Sequence, residues 1–223
     1  MRMRKKHNLE KRLERQNVYL LDIDTSEKDA RVANQTRTPL SFFDVFGNDN
    51  PVELEIGAGK GGFIIETAKK NPDVNFLAVE KISNVIIAAC EAAEAENIPN
   101  LRFLNCGAEY LLKYIPDFSV QKIYLNFSCP FPAGSYENRR LTYKNFLNIY
   151  KQILKPCGVV CQKTDNEEFF DYSLKSFSEN GFEVTSVIRD LHNSDFSGNV
   201  QTEYEKMFAQ KGLPIYRLEA KLK

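Results

Sequence analysis

The amino-acid sequence predicts an α/β fold with a seven-stranded, mostly parallel sheet and helices on both faces. From residue 51 onward, short apolar runs of strand length alternate with amphipathic segments of helix length, as in parallel sheets connected by helices. A glycine-rich stretch follows the first run, and a carboxylate, Glu80, ends the second. Sheets of this kind bind ligands at the carboxyl ends of their strands, so the loops that follow the strands are expected to share one crevice.

The pattern predicts seven strands and five main helices in order along the chain. The strands are expected at residues 52–56, 75–80, 101–104, 121–127 and 158–164, from 181 onward, and at 214–220, where the last is expected to close the sheet. The helices are expected at 61–69, at 83–96 with Ser83 as N-cap, near 108–114, across 146–154, and after Asn166 as N-cap. We assign residues 1–50 to a basic N-terminal arm with an irregular extension, and 51–223 to one domain.

Composition and charge exclude several classes of protein. The 223 residues are 43% apolar and 27% charged, which is ordinary for a globular domain and unlike a disordered or collagenous chain. Thirty basic residues balance thirty acidic ones, but residues 1–15 hold seven basic and two acidic side chains. The remainder therefore holds 23 basic and 28 acidic, a net charge of −5. A basic arm on a slightly acidic body can contact a polyanion, although many such arms are only solvated ends.

The cysteines do not indicate a metal site or a disulfide, and the apolar runs do not indicate a membrane-spanning segment. Five cysteines without a C-x-x-C pair, and only two histidines, make a zinc site improbable. No apolar run reaches the roughly 18–20 residues of a membrane span, and the charged N-terminus does not resemble a signal peptide. We therefore expect a cytoplasmic protein with no metal.

The glycine-rich stretch indicates a nucleotide-like cofactor. Gly57, Gly59 and Gly62 satisfy G-x-G-x-x-G after a strand, and Glu80 follows at the distance where a carboxylate accepts ribose hydroxyls. NAD and S-adenosylmethionine both carry such a ribose. Glu55, two residues before the first glycine, favours S-adenosylmethionine, because a carboxylate there would repel the pyrophosphate of NAD and attract the ammonium and sulfonium of the alternative.

Further motifs follow in order. They are Tyr124-Leu125-Asn126-Phe127-Ser128 with Pro130 and Pro132, Arg139-Arg140-Leu141-Thr142, Lys163-Thr164-Asp165-Asn166, and Thr202-Glu203-Tyr204-Glu205. Together with the glycine loop, this set resembles the bacterial tRNA (guanine-N7-)-methyltransferases of the TrmB type over nearly the whole chain. Five ordered motifs are far more specific than any single one.

The resemblance implies a class I methyltransferase (Rossmann-like) fold, S-adenosylmethionine as cofactor, and tRNA as partner. The implied reaction is methyl transfer to N7 of the variable-loop guanosine, giving m7G46, by a monomer or homodimer. The implied cofactor residues are Glu55, Gly57, Gly59, Glu80, Gly107, Ala108 and Cys129. The implied substrate residues are Asp165, Thr202, Glu203, Tyr204, Glu205, Arg139 and Arg140.

Three positions depart from the family pattern. Cys129 stands where the family has an aspartate, Ala133 where it has a lysine, and Gly107 where it has an aspartate beside the adenine; Glu109 lies two residues further on. Guanine N7 carries an exposed lone pair and no proton, so its methylation needs no general base. A carboxylate would nevertheless stabilise the cationic product ring better than a neutral thiol. No catalytic residue is therefore assigned.

Alternatives stay open at this point. The three departures fit a catalytically impaired or inactive family member that binds S-adenosylmethionine or tRNA. The less basic crevice also fits a methyltransferase for a small molecule. NAD-linked chemistry is the last alternative, because the glycine loop alone does not exclude it.

Overall fold

The structure, a computed structural model, describes residues 6–223. Seven strands form a mixed sheet within this range: β1 Val52–Ile56, β2 Asn75–Val79, β3 Leu101–Leu104, β4 Val120–Asn126, β5 Leu154–Thr164, β6 Phe182–Ile188 and β7 Tyr216–Leu222. The α-helices of the same range are α1 Leu9–Glu14, α2 Ala30–Ala33, α3 Phe42–Phe46, α4 Gly62–Lys70, α5 Ser83–Ala95, α6 Leu111–Tyr114, α7 Lys144–Ile153, α8 Glu167–Glu179 and α9 Glu203–Ala209. Two 3-10 helices cover Ala108–Tyr110 and Gly134–Arg139. The chain divides into two compact units, residues 1–114 and 115–223.

The first unit contains three parallel strands with β2 in the middle. Ile56 pairs with Val79, and Val79 pairs with Leu104, so the three strands end at the same edge. Every residue of β1 and β2 is buried, as expected for parallel strands covered on both faces. The loops after these strands therefore lie side by side, as the sequence predicts.

The N-terminal segment packs onto this unit. The Arg12 guanidinium binds the Glu91 carboxylate on α5, with Nε 2.7 Å from Oε1. Leu20 forms a parallel bridge with Phe103, so the segment covers the outer edge of β3. The positive charge of Arg12 is thus engaged within the protein, while Arg2, Arg4 and Lys5 of the predicted basic arm lie outside the described residues.

The second unit orders its strands β4-β5-β7-β6. β4 and β5 are parallel, whereas β7 is antiparallel to both of its neighbours. The predicted seventh strand is present, and it lies between β5 and β6 rather than at an edge of the sheet. After β6 the chain returns by a loop and α9, without a crossover to the far side, so β7 enters in the opposite direction between β5 and β6.

Of the two N-cap residues predicted from the sequence, one is confirmed and the other is not. Asn166 caps α8, since its Oδ1 accepts from the Phe169 N–H at 2.7 Å, as predicted. The prediction for Ser83 is wrong: the N-cap of α5 is Ile82, and the Ser83 hydroxyl donates to Asn105 Oδ1 instead. The Ser83 hydroxyl bonds to Asn105, in the loop after β3, in place of a capping bond within its own helix.

Gln162 on β5 is a defect in the core of the second unit. Its side chain is fully buried, and neither amide atom has a hydrogen-bond partner within residues 6–223. A buried unsatisfied polar group costs about 1–3 kcal/mol, and an apolar group of similar shape avoids that cost. We therefore expect Gln162→Met to raise the free energy of unfolding by about 1–2 kcal/mol in chemical denaturation.

The control is Gln121→Met, the same exchange at an exposed position on β4, which should change stability by less than about 0.5 kcal/mol. A loss of stability in Gln162→Met would mean that the amide serves a partner in solution.

No helix within the described range is long and apolar enough to cross a bilayer.

Candidate active site

The glycine loop after β1 exposes its backbone. The Gly57 and Ala58 N–H groups both donate to the Val79 carbonyl, at 2.8 and 3.1 Å, which folds the loop against the end of β2. Gly57 and Gly59 have φ of +82° and +61°, where side chains are disfavoured. A Cβ at either position would meet no atom within 4 Å. The loop therefore offers room for a ligand to approach the backbone closely.

Glu80 lies directly beside this loop. Its Oε2 accepts from the Gly59 N–H at 3.2 Å, and its Oε1 accepts from the Ile82 N–H at 2.9 Å. Two backbone donors thus fix the carboxylate, while each oxygen keeps a further lone pair for a ligand. Asn105, after β3, donates to the Glu80 carbonyl at 2.7 Å. Hydrogen bonds therefore join the loops after all three strands of the first unit.

The remaining predicted cofactor residues differ in exposure. Glu55 is only 2% exposed, inside β1. Gly107 is the N-cap of the 3-10 helix after β3 and Ala108 is its first residue; both are buried. Cys129 belongs to the second unit and is exposed in the loop after β4. The open glycine backbone and the fixed Glu80 carboxylate fit an adenosine-containing cofactor such as S-adenosylmethionine.

In the second unit, the loop after β4 is held in an unusual conformation. Phe127 and Phe131 have φ of +51° and +42°, uncommon for residues with side chains. The Phe127 N–H donates to the Lys163 carbonyl at 2.8 Å. Arg140 donates through Nε to the Pro130 carbonyl at 2.9 Å and through Nη2 to the Phe131 carbonyl at 3.1 Å. Arg140 therefore supports the loop that carries Cys129.

The two predicted arginines thus have different surroundings. The Arg140 guanidinium lies 4.3 Å from the centre of the Tyr172 ring, and that of Arg139 lies 4.5 Å from the Tyr136 ring. Arg140 is partly buried, whereas Arg139 is exposed. Of the two, Arg139 is the one exposed to solvent, and it also contacts the Tyr136 ring.

The structure brings Asp165 and Tyr204 together. Asp165 is half-buried immediately after β5. Burial and, secondarily, the negative charge of Asp165 raise the pKa of the Tyr204 phenol. The Tyr204 ring packs between Phe127 and Phe208, with ring centres 5.0 and 4.7 Å apart, yet 41% of its surface is exposed. An aromatic face, a phenol and a carboxylate therefore share one region of the second unit.

Glu205, by contrast, is completely buried. Its Oε2 accepts from Lys163 Nζ at 2.6 Å, and its Oε1 accepts from Asn199 Nδ2. Lys163 Nζ also donates to the Val200 carbonyl at 2.8 Å. Thr202 caps α9 by accepting from the Glu205 N–H at 2.9 Å, which is half of a capping box; the Glu205 carboxylate goes to Lys163 and Asn199. The Glu203 side chain lies outside the described part of the chain.

Lys163 is the functional candidate that the sequence reasoning missed. Lys163 begins the Lys163-Thr164-Asp165-Asn166 motif, but no feature of the nearby sequence indicates that it pairs with a glutamate 42 residues away. Its place in an apolar strand was the available clue, since a buried lysine requires an acidic partner.

Cysteine and metal chemistry have little support here. All five cysteines are free thiols, and burial raises the pKa of Cys90, Cys106 and Cys161 to about 12. Within residues 6–223, no group of three or more His, Cys, Asp or Glu side chains could hold a metal ion.

Comparisons with solved structures agree on the fold. The KamB 16S rRNA methyltransferase matches with a TM-score of 0.59 at 12% identity, over 90% of this chain and 95% of that one. A SAM-dependent methyltransferase from Aquifex aeolicus matches with a TM-score of 0.57 at 14% identity, over 88% and 100%. The class I methyltransferase fold is therefore confirmed.

Comparisons of sequence are more specific. A family model described as "Putative methyltransferase" matches residues 49–218. The tRNA (guanine-N(7)-)-methyltransferase of Bacillus licheniformis is 50% identical over 176 residues, 79% of this chain and 83% of that protein. Those of Geobacillus sp. and Listeria monocytogenes are each 48% identical, over 80% and 81% of this chain and 81% and 84% of theirs. The resemblance deduced from the motifs is confirmed, and the chain belongs to the tRNA (guanine-N7-)-methyltransferase family.

Proposed function

We propose that this protein transfers a methyl group from S-adenosylmethionine to N7 of a guanosine in the variable loop of tRNA. The observation that carries the proposal is the 48–50% identity, over four fifths of the chain, to relatives named for guanine-N7 methylation of tRNA. A cytoplasmic location and a monomeric or homodimeric state stay predictions.

In this proposal the first unit binds the cofactor. Glu80 accepts hydrogen bonds from the ribose hydroxyls, because two backbone N–H groups already aim its carboxylate. Gly57 and Gly59 let the ligand lie against the backbone, and the Glu55 carboxyl is buried two residues before the loop. When bound, S-adenosylmethionine supplies a methyl group made electrophilic by its sulfonium.

The second unit binds the guanosine. Guanine N7 needs no deprotonation, so the residues have to orient the base and stabilise the positive charge that develops on its ring. Asp165 supplies a carboxylate for that charge, and the exposed face of Tyr204 offers a surface for stacking. Arg139 is placed to contact a phosphate. Thr202 and Glu205 act by holding α9, and Arg140 by holding the loop after β4.

Cys129 limits the rate in this scheme without abolishing the reaction. A carboxylate at its exposed position would stabilise the cationic guanine, which a neutral thiol cannot do. We therefore expect Cys129→Asp to raise kcat for tRNA methylation by about tenfold, equivalent to about 1.4 kcal/mol of transition-state stabilisation. Cys157→Asp, at the second exposed cysteine, is the control and should leave kcat unchanged. Equal rates for the wild type and Cys129→Asp would mean that position 129 does not face the reacting base.

The test of the function is methyl transfer from labelled S-adenosylmethionine to tRNA that lacks N7-methylguanosine, followed by nucleoside mass spectrometry. We expect N7-methylguanosine above the no-enzyme level with the wild-type protein, and none when the variable-loop guanosine is replaced by adenosine. No product at high enzyme concentration, with folding and tRNA binding confirmed, would instead indicate an inactive family member that binds the cofactor or tRNA.

A further inference from the structure

The order of strands in the first unit fixes where the base of the cofactor must lie. β2 is between β1 and β3. If Glu80, at the end of β2, binds the ribose and the glycine loop after β1 receives the methionine part, the base extends in the other direction. It therefore reaches the loop after β3, residues 105–109. This step rests on the proposed function of the same site.

Few side chains of that loop can recognise a base. Asn105 is already engaged with the Glu80 carbonyl and the Ser83 hydroxyl. Burial keeps the Cys106 thiol protonated by raising its pKa to about 12. Gly107 and Ala108 offer no polar side-chain group. Glu109 is the member of residues 105–109 with a charged acceptor, and it is exposed.

The Glu109 carboxyl folds back over Gly107. A Cβ placed on Gly107 would lie 2.5 Å from Glu109 Cδ and 2.6 Å from Oε1, closer than real atoms approach. Gly107 has φ of −79°, so its backbone does not require glycine. The Glu109 carboxyl occupies the space where a side chain at position 107 would begin, so a larger residue there would displace the end of the glutamate side chain.

The backbone of Glu109 is held on both sides. Asn34 Nδ2 donates to the Glu109 carbonyl at 2.9 Å, and the Tyr110 N–H donates to the Gly107 carbonyl at 3.0 Å. The Tyr110 hydroxyl donates in turn to the Lys28 carbonyl at 2.6 Å. These bonds hold the backbone from which the Glu109 side chain extends, and the side chain itself is exposed.

We propose that the Glu109 carboxylate accepts a hydrogen bond from the exocyclic amine of the cofactor's adenine and so selects adenine at this site. An ionised carboxylate only accepts hydrogen bonds. It therefore matches the amine of adenine and repels the carbonyl oxygen that hypoxanthine carries at the same ring position. Gly107 and Glu109 act as a pair, because the missing side chain of one makes room for the carboxylate of the other.

The experiment compares calorimetric binding of S-adenosylhomocysteine and S-inosylhomocysteine, which differ at this amine. We expect the wild type to prefer the adenine compound by about 10–100-fold. In Glu109→Gln, the amide can accept from an amine or donate to a carbonyl, so the preference should fall to about threefold or less. Gly107→Ala should also reduce it, since the added Cβ displaces the carboxyl. Glu14→Gln, an exposed change on α1, is the control and should keep the wild-type preference.

The ratio of the two affinities separates recognition from structure, because a merely structural role would weaken both compounds equally. An unchanged ratio in Glu109→Gln, with tight S-adenosylhomocysteine binding and tRNA methylation intact, would overturn this inference and leave the proposed function standing. Failure of the folded wild type to bind S-adenosylhomocysteine would overturn both. Thermal unfolding of each variant verifies that it is folded.

Discussion

Replacing Lys163 with methionine is expected to lower the free energy of unfolding by about 3–5 kcal/mol. The Lys163 side chain is 6% exposed and that of its partner Glu205 is completely buried, with 2.6 Å between Nζ and Oε2. Loss of the lysine leaves a carboxylate in the interior with Asn199 as its remaining side-chain hydrogen-bond donor in the described network, and with the His192 imidazole 4.0 Å from Oε1. A buried charge without its counter-ion costs far more than the ion pair itself contributes, so the loss should be large. Chemical denaturation measures it.

Two further variants identify the cause of that loss. The double variant Lys163→Met with Glu205→Met removes both charges, so most of the lost stability should return. Lys155→Met, an exposed change on the same strand, should cost less than about 0.5 kcal/mol. A double variant as unstable as Lys163→Met would contradict the explanation by an unpaired charge.

The Lys163–Glu205 pair should also affect catalysis, because it positions the residues that we propose bind the guanosine. Lys163, on β5, lies two residues before Asp165. Through its bonds to Glu205 and the Val200 carbonyl it also holds the start of α9, the helix that contains Tyr204. At temperatures where the variant stays folded, Lys163→Met should therefore raise KM for tRNA, while the affinity for S-adenosylhomocysteine, which we propose binds to the first unit, should change little. Lys163→Arg, which keeps the positive charge, should have a KM for tRNA closer to that of the wild type.

The sequence predicted what depends on neighbouring residues. Strand and helix positions agree to within a few residues, because the apolar periodicity of each segment is local. The capping of α8 by Asn166 is also local, since the bond spans three residues. The convergence of the glycine loop and Glu80 followed from a general property of parallel sheets, that adjacent strands end at one edge.

The sequence did not predict what depends on distant pairing. The position of β7 between β5 and β6 depends on how the chain returns after β6, which no periodicity records. The Lys163–Glu205 pair joins residues 42 positions apart, and Ser83 is diverted from capping by Asn105 across 22. The packing of the Glu109 carboxyl over Gly107 is short-range, but it depends on a backbone set by Asn34, 75 residues earlier.

Replacing Glu80 with glutamine is expected to weaken S-adenosylhomocysteine binding by about 30–100-fold, or about 2–3 kcal/mol. Both carboxylate oxygens of Glu80 accept backbone hydrogen bonds, from Gly59 and Ile82. An amide NH₂ in place of either oxygen would face one of these donors, so the glutamine side chain has to turn away. The ribose hydroxyls then lose a charged acceptor and its orientation together. Isothermal titration calorimetry measures the change.

A ligand without the 2′-hydroxyl shows whether the ribose is responsible. The 2′-deoxy analogue of S-adenosylhomocysteine should bind the wild type more weakly than the parent compound, whereas Glu80→Gln should bind the two with nearly equal affinity, because the group that distinguishes them is gone. Asp73→Asn, an exposed carboxylate-to-amide change in the same unit, should behave as the wild type. A wild type that does not distinguish the two compounds would place the ribose elsewhere. NAD should not bind at all, since the buried Glu55 carboxyl comes two residues before the loop where the pyrophosphate of NAD would have to sit.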